Sequence, residues 1–278
     1  LDEAGQVGLD RLIKCEGIDG SKITVRQLLQ HTSGLPDFDE TLFGTTDVFQ
    51  YRYHYVTPRD VLDSALSKPA QFEPGTQWKY TNTNYIVLGM LIERVSQRPV
   101  GEQIDQRIVK KLGLSHTYFP APGEEKIRGT HPRGYHLNGE GKLEDITEMD
   151  PTWGWAAGAM VSTPSELNTF FQAVFDGRLL TQVSIQEMKK GVDIGSGGRV
   201  YGLGLIGTPL SCGGTAWGHG GDIAGYHTRG GVGHDGTAVT VAVTALPTAI
   251  ADQSNLESSA KEKYQRNKDA VDATLCHK

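Results

Sequence analysis

No stretch of this chain is apolar for long enough to cross a bilayer, because the most apolar run, Tyr85 to Ile92, is broken by Gly89 and followed by Glu93 and Arg94. The first residues, Leu1-Asp2-Glu3-Ala4-Gly5, have neither a basic start nor an apolar middle, so they do not read as a secretion signal. Basic clusters are missing as well. The 27 lysines and arginines face 33 acids, and a net charge of −6 with mixed signs argues against a phosphate-binding surface and hence against nucleic acid as a partner. Cysteine is scarce: Cys15, Cys212 and Cys276 have no CxxC or Cys/His spacing that would close a zinc site, and no two histidines have HExxH spacing. Gly195-Ser196-Gly197-Gly198 does not join a strand to a helix as a phosphate loop would. Neither a metal nor a cofactor is expected.

What is present is a chain of 278 residues with a 37 % hydrophobic share, enough for one large domain or two interleaved lobes. Thr24 with Gln27 three residues on, then Leu28-Leu29 and a stop at Ser33-Gly34-Leu35-Pro36, predicts a short capped helix. Aromatics recur from Phe38 to Tyr55 without a period, which reads as a long surface excursion. Thr57-Pro58-Arg59-Asp60 combines a cap, a proline at the first helical position and an acid in the first turn, with Val61, Leu62, Ala65 and Leu66 on one face. Further helices are predicted from Asn82 to Val95, from Val100 to Leu112, from Thr163 to Gly177 and from Thr181, with an irregular segment between Pro120 and Pro151.

After Gly191 the texture changes. Val200 to Ile206, Thr215 to Gly218, Ala224 to Arg229 and Thr237 to Leu246 alternate or run β-branched between glycines, and read as strands of one antiparallel sheet. In the last of these Val239, Val241 and Val243 share one face and Thr240, Ala242 and Thr244 the other, so helices should cover both. The polar helical pattern from Ser254 to Leu275 supplies one cover. The expected fold class is therefore mixed α/β (α+β), an antiparallel sheet flanked by helices and not a doubly wound one. Residues 1–278 form a single domain with a helical and irregular lobe over about 20–190 and a sheet with a terminal helix over about 191–278.

Three segments carry the functional signal. The first, Ile23-Thr24-Val25-Arg26-Gln27-Leu28-Leu29-Gln30-His31-Thr32-Ser33-Gly34-Leu35-Pro36, is physically a helix and its stop. In the second, Tyr80-Thr81-Asn82-Thr83-Asn84-Tyr85, Tyr80 and Asn82 flank one residue at a helix start; a phenol that shuttles a proton and an amide that holds a carbonyl is one reading, a packing aromatic and an N-cap the other. The third, Trp217-Gly218-His219-Gly220-Gly221-Asp222-Ile223-Ala224-Gly225-Tyr226, is either a glycine-rich hairpin or a strand whose glycines let a substrate backbone approach beside His219. His31, His54, His116, His131, His136, His227 and His234 read mostly as loop or surface residues, with only His227 a candidate for lining a cleft.

In that order the three strings resemble the TVRxLLxHTSGL, Tyr-x-Asn and Lys/His-x-Gly elements of the penicillin-recognising serine acyl-transferases: class C β-lactamases, D,D-carboxypeptidases and related esterases. Tyr201-Gly202-Leu203-Gly204-Leu205 and Leu210-Ser211-Cys212-Gly213 are most similar to secreted actinobacterial D-alanyl-D-alanine carboxypeptidases. The resemblance implies a β-lactamase/transpeptidase-like fold, a serine that forms an acyl-enzyme on a peptide, amide or ester, no cofactor, and an extracellular location. It makes Tyr80 the proton shuttle, Asn82 the substrate clamp, His219 the group that steadies Tyr80, and Trp155 a cleft-wall aromatic. Gly221 and the Asp222 N–H then line the oxyanion side, and Cys212 pairs with Cys276. The family's Ser-x-x-Lys element precedes text like Leu1-Asp2-Glu3-Ala4-Gly5, so the serine, its helix and the first strands are expected upstream of Leu1. Ser258-Ser259-Ala260-Lys261 fits that motif by letter but falls on the polar terminal helix. The basic residue with which such carboxypeptidases hold a substrate carboxylate is replaced by Ile206-Gly207-Thr208, leaving Arg229 or Thr208 as substitutes, or an ester, an amide or a D-amino-acid peptide without that carboxylate as the substrate.

Overall fold

Several helices in this protein begin where a threonine satisfies backbone N–H groups that have no partner inside the helix. The computed structural model describes residues 9–15, 18–38, 40–195 and 197–276. In it Thr24 Oγ1 accepts the Gln27 N–H at 3.2 Å while Gln27 Oε1 accepts the Thr24 N–H at 2.8 Å, a reciprocal cap that opens α1 (Val25–Leu29). Thr57 and Asp60 do the same for α2 (Pro58–Leu66). Next come α3 (Thr83–Ser96) and α4 (Val100–Ile104). The helix predicted through Leu112 is continuous but changes character, widening to π geometry over Asp105–Val109 before Lys110–Leu112 and a left-handed Gly113 end it. A four-residue turn, α5 (Trp155–Gly158), precedes α6 (Pro164–Phe175) and α7 (Gln182–Lys189), each capped by the threonine before it.

The helical lobe closes around Ile23, Leu28, Leu35, Val61, Leu62, Ile86 and Val87, which α1, α2 and α3 turn toward one another. Each such side chain, fully removed from water, contributes roughly 1.5–3 kcal/mol. Two small hairpins lie outside the main sheet, β1 (Lys14–Cys15) with β2 (Ile18–Asp19) and β3 (Tyr135–Leu137) with β4 (Leu143–Asp145). The second lies in the segment predicted as irregular, where Tyr135 also bridges Ala245 through its N–H to Thr244 O at 2.9 Å. Leu1 to Gly8, part of the text that placed the expected nucleophile upstream, lie outside the described residues.

The main sheet is antiparallel and follows the order β11-β10-β8-β7-β6-β5, with β9 also on β10. Its strands are β5 (Val192–Asp193), β6 (Val200–Tyr201), β7 (Ile206–Pro209), β8 (Thr215–Gly218), β9 (Gly220–Ile223), β10 (Tyr226–Val232) and β11 (Ala238–Val243). The predicted single strand from Val200 to Ile206 is a hairpin instead. Gly204 adopts a φ of 76° and the Gly202 N–H reaches Leu205 O at 2.7 Å, a reversal that a side chain at Gly204 would oppose. Both faces are covered, as the alternation in β11 requires. Trp217 and Val232, opposite each other in register, pack with Phe171 and Val174 of α6. Ala216 and Val239 pack with Val271 and Leu275 of α8 (Leu256–Cys276) on the other side.

Only two residues of α8, Ala260 and Leu275, are buried, so apolar contact alone holds this long polar helix weakly. Its C-terminal end is fastened by the Cys212–Cys276 disulfide and by Asp272, which accepts from the Ser211 N–H at 2.8 Å. The disulfide spans 64 residues, for which the chain-entropy model gives roughly 4 kcal/mol. Replacing Cys276 by Ser is therefore expected to lower stability by up to about that amount. Urea denaturation would measure it, and amide exchange should rise first along α8; unchanged exchange there would show that the helix docks without its tether.

Candidate active site

Tyr80 stands just before α3, and the two readings of its neighbour Asn82 are separated by where the capping bond goes. Asn82 occupies the N-cap position but makes no side-chain cap. Thr81 Oγ1 instead accepts the Thr83 N–H at 3.2 Å. Asp37, one residue past Pro36 in the first segment, accepts from the Asn82 backbone N–H at 3.1 Å and from Asn82 Nδ2 at 3.3 Å. The amide is thus oriented by a carboxylate, and its second N–H and its Oδ1 remain for another partner. Burial raises the Asp37 carboxyl above its ordinary range in spite of these bonds. Tyr80 is 40 % exposed. The protein around it, together with the negative charges of Asp37 and Asp222, pushes its phenol up to about 12, so it carries its proton at neutral pH.

His219 lies where the sheet changes partner. β8 is paired on β7 only as far as Gly218 opposite Ile206, and after His219 the run continues as β9 against β10. Among the described residues β9 has no partner strand on its other edge. The chain before β7 turns away, where the Gly204 N–H reaches Leu29 O at 3.2 Å and the Leu203 N–H reaches Met188 O at 2.9 Å. Gly218 packs on the β10 backbone and Gly220 on Arg229 and Thr228 O, so a Cβ at either would collide. Gly221 meets only Thr228 Oγ1, at 3.1 Å from where its Cβ would be. The Tyr80 ring lies 6.2 Å from that of His219.

Behind these groups runs a buried chain that the sequence did not announce. His31, read as a surface residue, is 0 % exposed, and its ring stacks 4.2 Å from Tyr80. Its Nδ1 faces the Thr81 N–H at 3.3 Å and Asn84 Nδ2 at 2.9 Å, and its Nε2 faces Tyr201 Oη at 3.0 Å. Tyr201 Oη lies in turn 3.0 Å from His219 Nε2, and His219 Nδ1 lies 2.7 Å from Gly220 O. Burial, with the His219 charge, lowers His31 to about 3. Burial also lowers His219, helped by Arg229 and Arg199, and burial raises Tyr201. All three are neutral at physiological pH.

Asp222 sits directly opposite His227 across the β9–β10 pair. His227, expected as a cleft residue, is fully buried and bonds Asp222 through Nδ1. Arg229, two residues along β10, donates to Asp222 at 2.7 Å, and Tyr264 of α8 packs against both the His227 ring and the Arg229 guanidinium. Burial works to raise the Asp222 carboxyl, but the bonds from His227 and Arg229 and the Arg229 charge outweigh it and hold it below the usual range. The side chain is consumed in bracing the strand, leaving the backbone N–H as its chemical asset. Trp155 packs elsewhere: its ring lies on Gly89 of α3, where a Cβ would come within 2.7 Å of it. That is seven residues past Asn82, about 10 Å along the helix. Ser258 is exposed on α8. A groove of about 610 Å³ beside Trp217, Lys189 and His234 includes none of the candidate site residues.

The Beta-lactamase family model matches residues 1–267. The chain belongs to the Beta-lactamase family. Penicillin-binding protein 4* of Bacillus subtilis strain 168 is 27 % identical over 224 residues, 74 % of this chain and 48 % of that protein. Putative penicillin-binding protein PbpX of the same strain is 28 % identical over 172 residues, 61 % of this chain and 40 % of the relative. The chain thus spans half or less of the length of these curated relatives. Among solved structures, a D-stereospecific amidohydrolase from Streptomyces sp. superposes with a TM-score of 0.81 at 35 % identity, covering 87 % of this chain and 73 % of that one. D-amino acid amidase from Ochrobactrum anthropi SV3 gives 0.67 at 26 % identity, with 86 % and 73 % covered. The mixed α/β architecture read from the sequence is that of this Beta-lactamase family.

Sequence reasoning singled out Tyr80, Asn82, His219 and Asp222 through local strings; the structure adds His31, Tyr201 and Asp37 beside them. The one local signal for His31 is positional: it directly follows the C-cap of α1 with a φ of 58°, where glycine or asparagine is usual. An unfolded His31 takes up a proton near 6.5, whereas the buried one does so only near 3. Between those values the unfolded chain holds the extra proton, so this stabilisation is complete above pH 6.5 and is lost as pH falls through the window. His219 adds the same sign and Asp37 offsets part of it. Stability measured by urea denaturation should fall by about 1.4 kcal/mol per pH unit for each such histidine below pH 6.5; a flat profile from pH 7 to 4.5 would contradict the buried neutral assignment.

Proposed function

We propose that this chain provides the substrate-binding and proton-handling part of an acyl-transferring serine hydrolase that cleaves amide bonds next to a D-configured residue. The observation that carries the proposal is the unpaired edge of β9 facing a protonated Tyr80, with the Asn82 amide pre-oriented by Asp37. An extended substrate laid along β9 gains main-chain hydrogen bonds, and the glycines keep side chains out of its way. The nucleophile is taken to be the serine of a Ser-x-x-Lys element outside these residues. Its oxygen bonds to the carbonyl carbon as its hydroxyl proton passes to the lysine of that element; the C–N bond breaks as Tyr80 gives its proton to the leaving nitrogen and regains one from that lysine, and water then releases the acyl group. The Asp222 N–H, braced through the carboxylate of the same residue, stabilises the oxyanion, and Asn82 holds a substrate amide. The Cys212–Cys276 disulfide supports an oxidising, extracellular location.

The amide reading is favoured over D-alanyl-D-alanine carboxypeptidase activity by the fate of the cations. No base stands at Ile206-Gly207-Thr208, and Arg229 is committed to Asp222 and to Thr228 O. The names of the Streptomyces and Ochrobactrum neighbours point the same way. The carboxypeptidase reading rests on Arg199, half-buried and close enough for its charge to lower His219.

The test uses the protein with its nucleophile present. Turnover of D-amino-acid amides should exceed that of their L counterparts and of peptides ending in D-Ala-D-Ala. Tyr80→Phe should lower kcat by about 10²- to 10⁴-fold, while Ser258→Ala should leave turnover unchanged. Preference for the peptide, abolished by Arg199→Gln, would establish the carboxypeptidase instead. Binding of a fluorescent penicillin without covalent labelling or turnover would make the chain a non-catalytic peptide binder.

A further inference from the structure

The polarity of the buried chain behind Tyr80 is fixed at both ends by backbone groups that have no choice of role. At one end the Thr81 N–H is only a donor, so His31 Nδ1 must accept and its proton sits on Nε2. His31 Nε2 then donates to Tyr201 Oη. At the other end Gly220 O is only an acceptor, so His219 Nδ1 must carry the proton and Nε2 must accept. The Tyr201 hydroxyl, taking a hydrogen bond from His31, gives its own to His219 Nε2. The chain runs from the Thr81 N–H that precedes α3 to the Gly220 C=O that opens β9, with Tyr85, whose hydroxyl donates to Leu29 O at 3.1 Å, also bonded to Tyr201.

From this geometry we infer that His31 and Tyr201 are positioning residues which lock His219 as the neutral Nδ1–H tautomer, tie β9 to the Tyr80 segment, and leave His219 no nitrogen for Tyr80 or substrate. The inference deepens the functional reading above and rests on it for the identity of the site. The consequence is a division of labour: Tyr80, its phenol proton held by burial and by the charges of Asp37 and Asp222, handles the proton, and His219 sets where the oxyanion strand lies without moving a proton itself. Two independent observations support it. His31 is held at a left-handed φ that disfavours a non-glycine residue, a strain the three bonds of its ring offset. Tyr201, among the largest fully buried side chains, is placed by the hairpin at Gly202 and Gly204 so that its hydroxyl meets both imidazoles. The charged and titratable groups facing His219 are Arg229 from β10, Arg199 before β6, Asp222 from β9, His31 after α1, and Tyr80 and Tyr201. Both arginines oppose a proton on it and only Asp222 favours one.

Nitrogen-15 NMR of the histidine rings in this chain tests the assignment without any turnover. The expected spectrum at pH 6 shows His31 as the Nε2–H tautomer and His219 as the Nδ1–H tautomer, both neutral. His219 seen as Nε2–H, or cationic at pH 6, would overturn the inference. Tyr201→Phe keeps the ring but removes the hydroxyl that donates to Nε2; it should raise the His219 titration by at least one pH unit, and His31→Asn, which tolerates the same φ, should do likewise. An unchanged His219 titration in both variants would overturn it too. In the nucleophile-bearing protein the acid limb of the kcat profile should move up in Tyr201→Phe with KM little changed. If the NMR results hold and no D-amide is turned over, only the functional reading falls.

Discussion

Burying three polar rings between two lobes is expensive unless every nitrogen and oxygen is paired, and that requirement organises this molecule. His31 comes from the end of α1, Tyr201 from a hairpin of the sheet and His219 from the break between β8 and β9. Removed from water without partners, each polar group would cost on the order of 1–3 kcal/mol. Joined in one chain, the three rings satisfy one another and end on two backbone groups. Because the chain closes only when α1, β6 and β9 are in register, it also fixes how the helical lobe meets the sheet. Arg26 with Glu187 also ties α1 to α7, but an exposed ion pair adds little to that register.

The same logic of commitment explains the charges. Asp37 is committed to Asn82, Asp222 to His227 and Arg229, and Arg229 additionally to the ring of Tyr264. Tyr80, its phenol proton held by the surrounding protein and by the two acids nearby, is what the arrangement leaves partly facing solvent. The terminal helix enters this picture through Tyr264, so the tether at Cys212–Cys276 lies on the same mechanical path as β9. The polar face of α8 makes that tether consequential, since few of its side chains are buried.

Much of this was legible from the residues because it depends on neighbours in sequence. Helix starts follow from Thr-x-x-Gln and Thr-Pro patterns, strand faces from alternation in Thr237 to Leu246, and the sites of Tyr80, Asn82, His219 and Asp222 from strings a few residues long. The π stretch at Asp105–Val109 and the reversal inside Val200 to Ile206 were not, since hydrophobic spacing tolerates both and the deciding contacts come from elsewhere.

His31 shows the limit most clearly. In the sequence it is a polar residue beside a helix stop, indistinguishable from a surface histidine. Its partners Tyr201 and His219 are 170 and 188 residues away along the chain, and only closure of the sheet lobe on α1 and α3 brings them to it. What the sequence by itself determined was the set of local structures and the chemical identity of the groups at the cleft. Which of those groups keep a free donor or acceptor, and which are spent on holding the others, was decided by tertiary structure, because hydrogen-bond polarity is set by both ends of a chain of contacts and the ends here lie on different lobes.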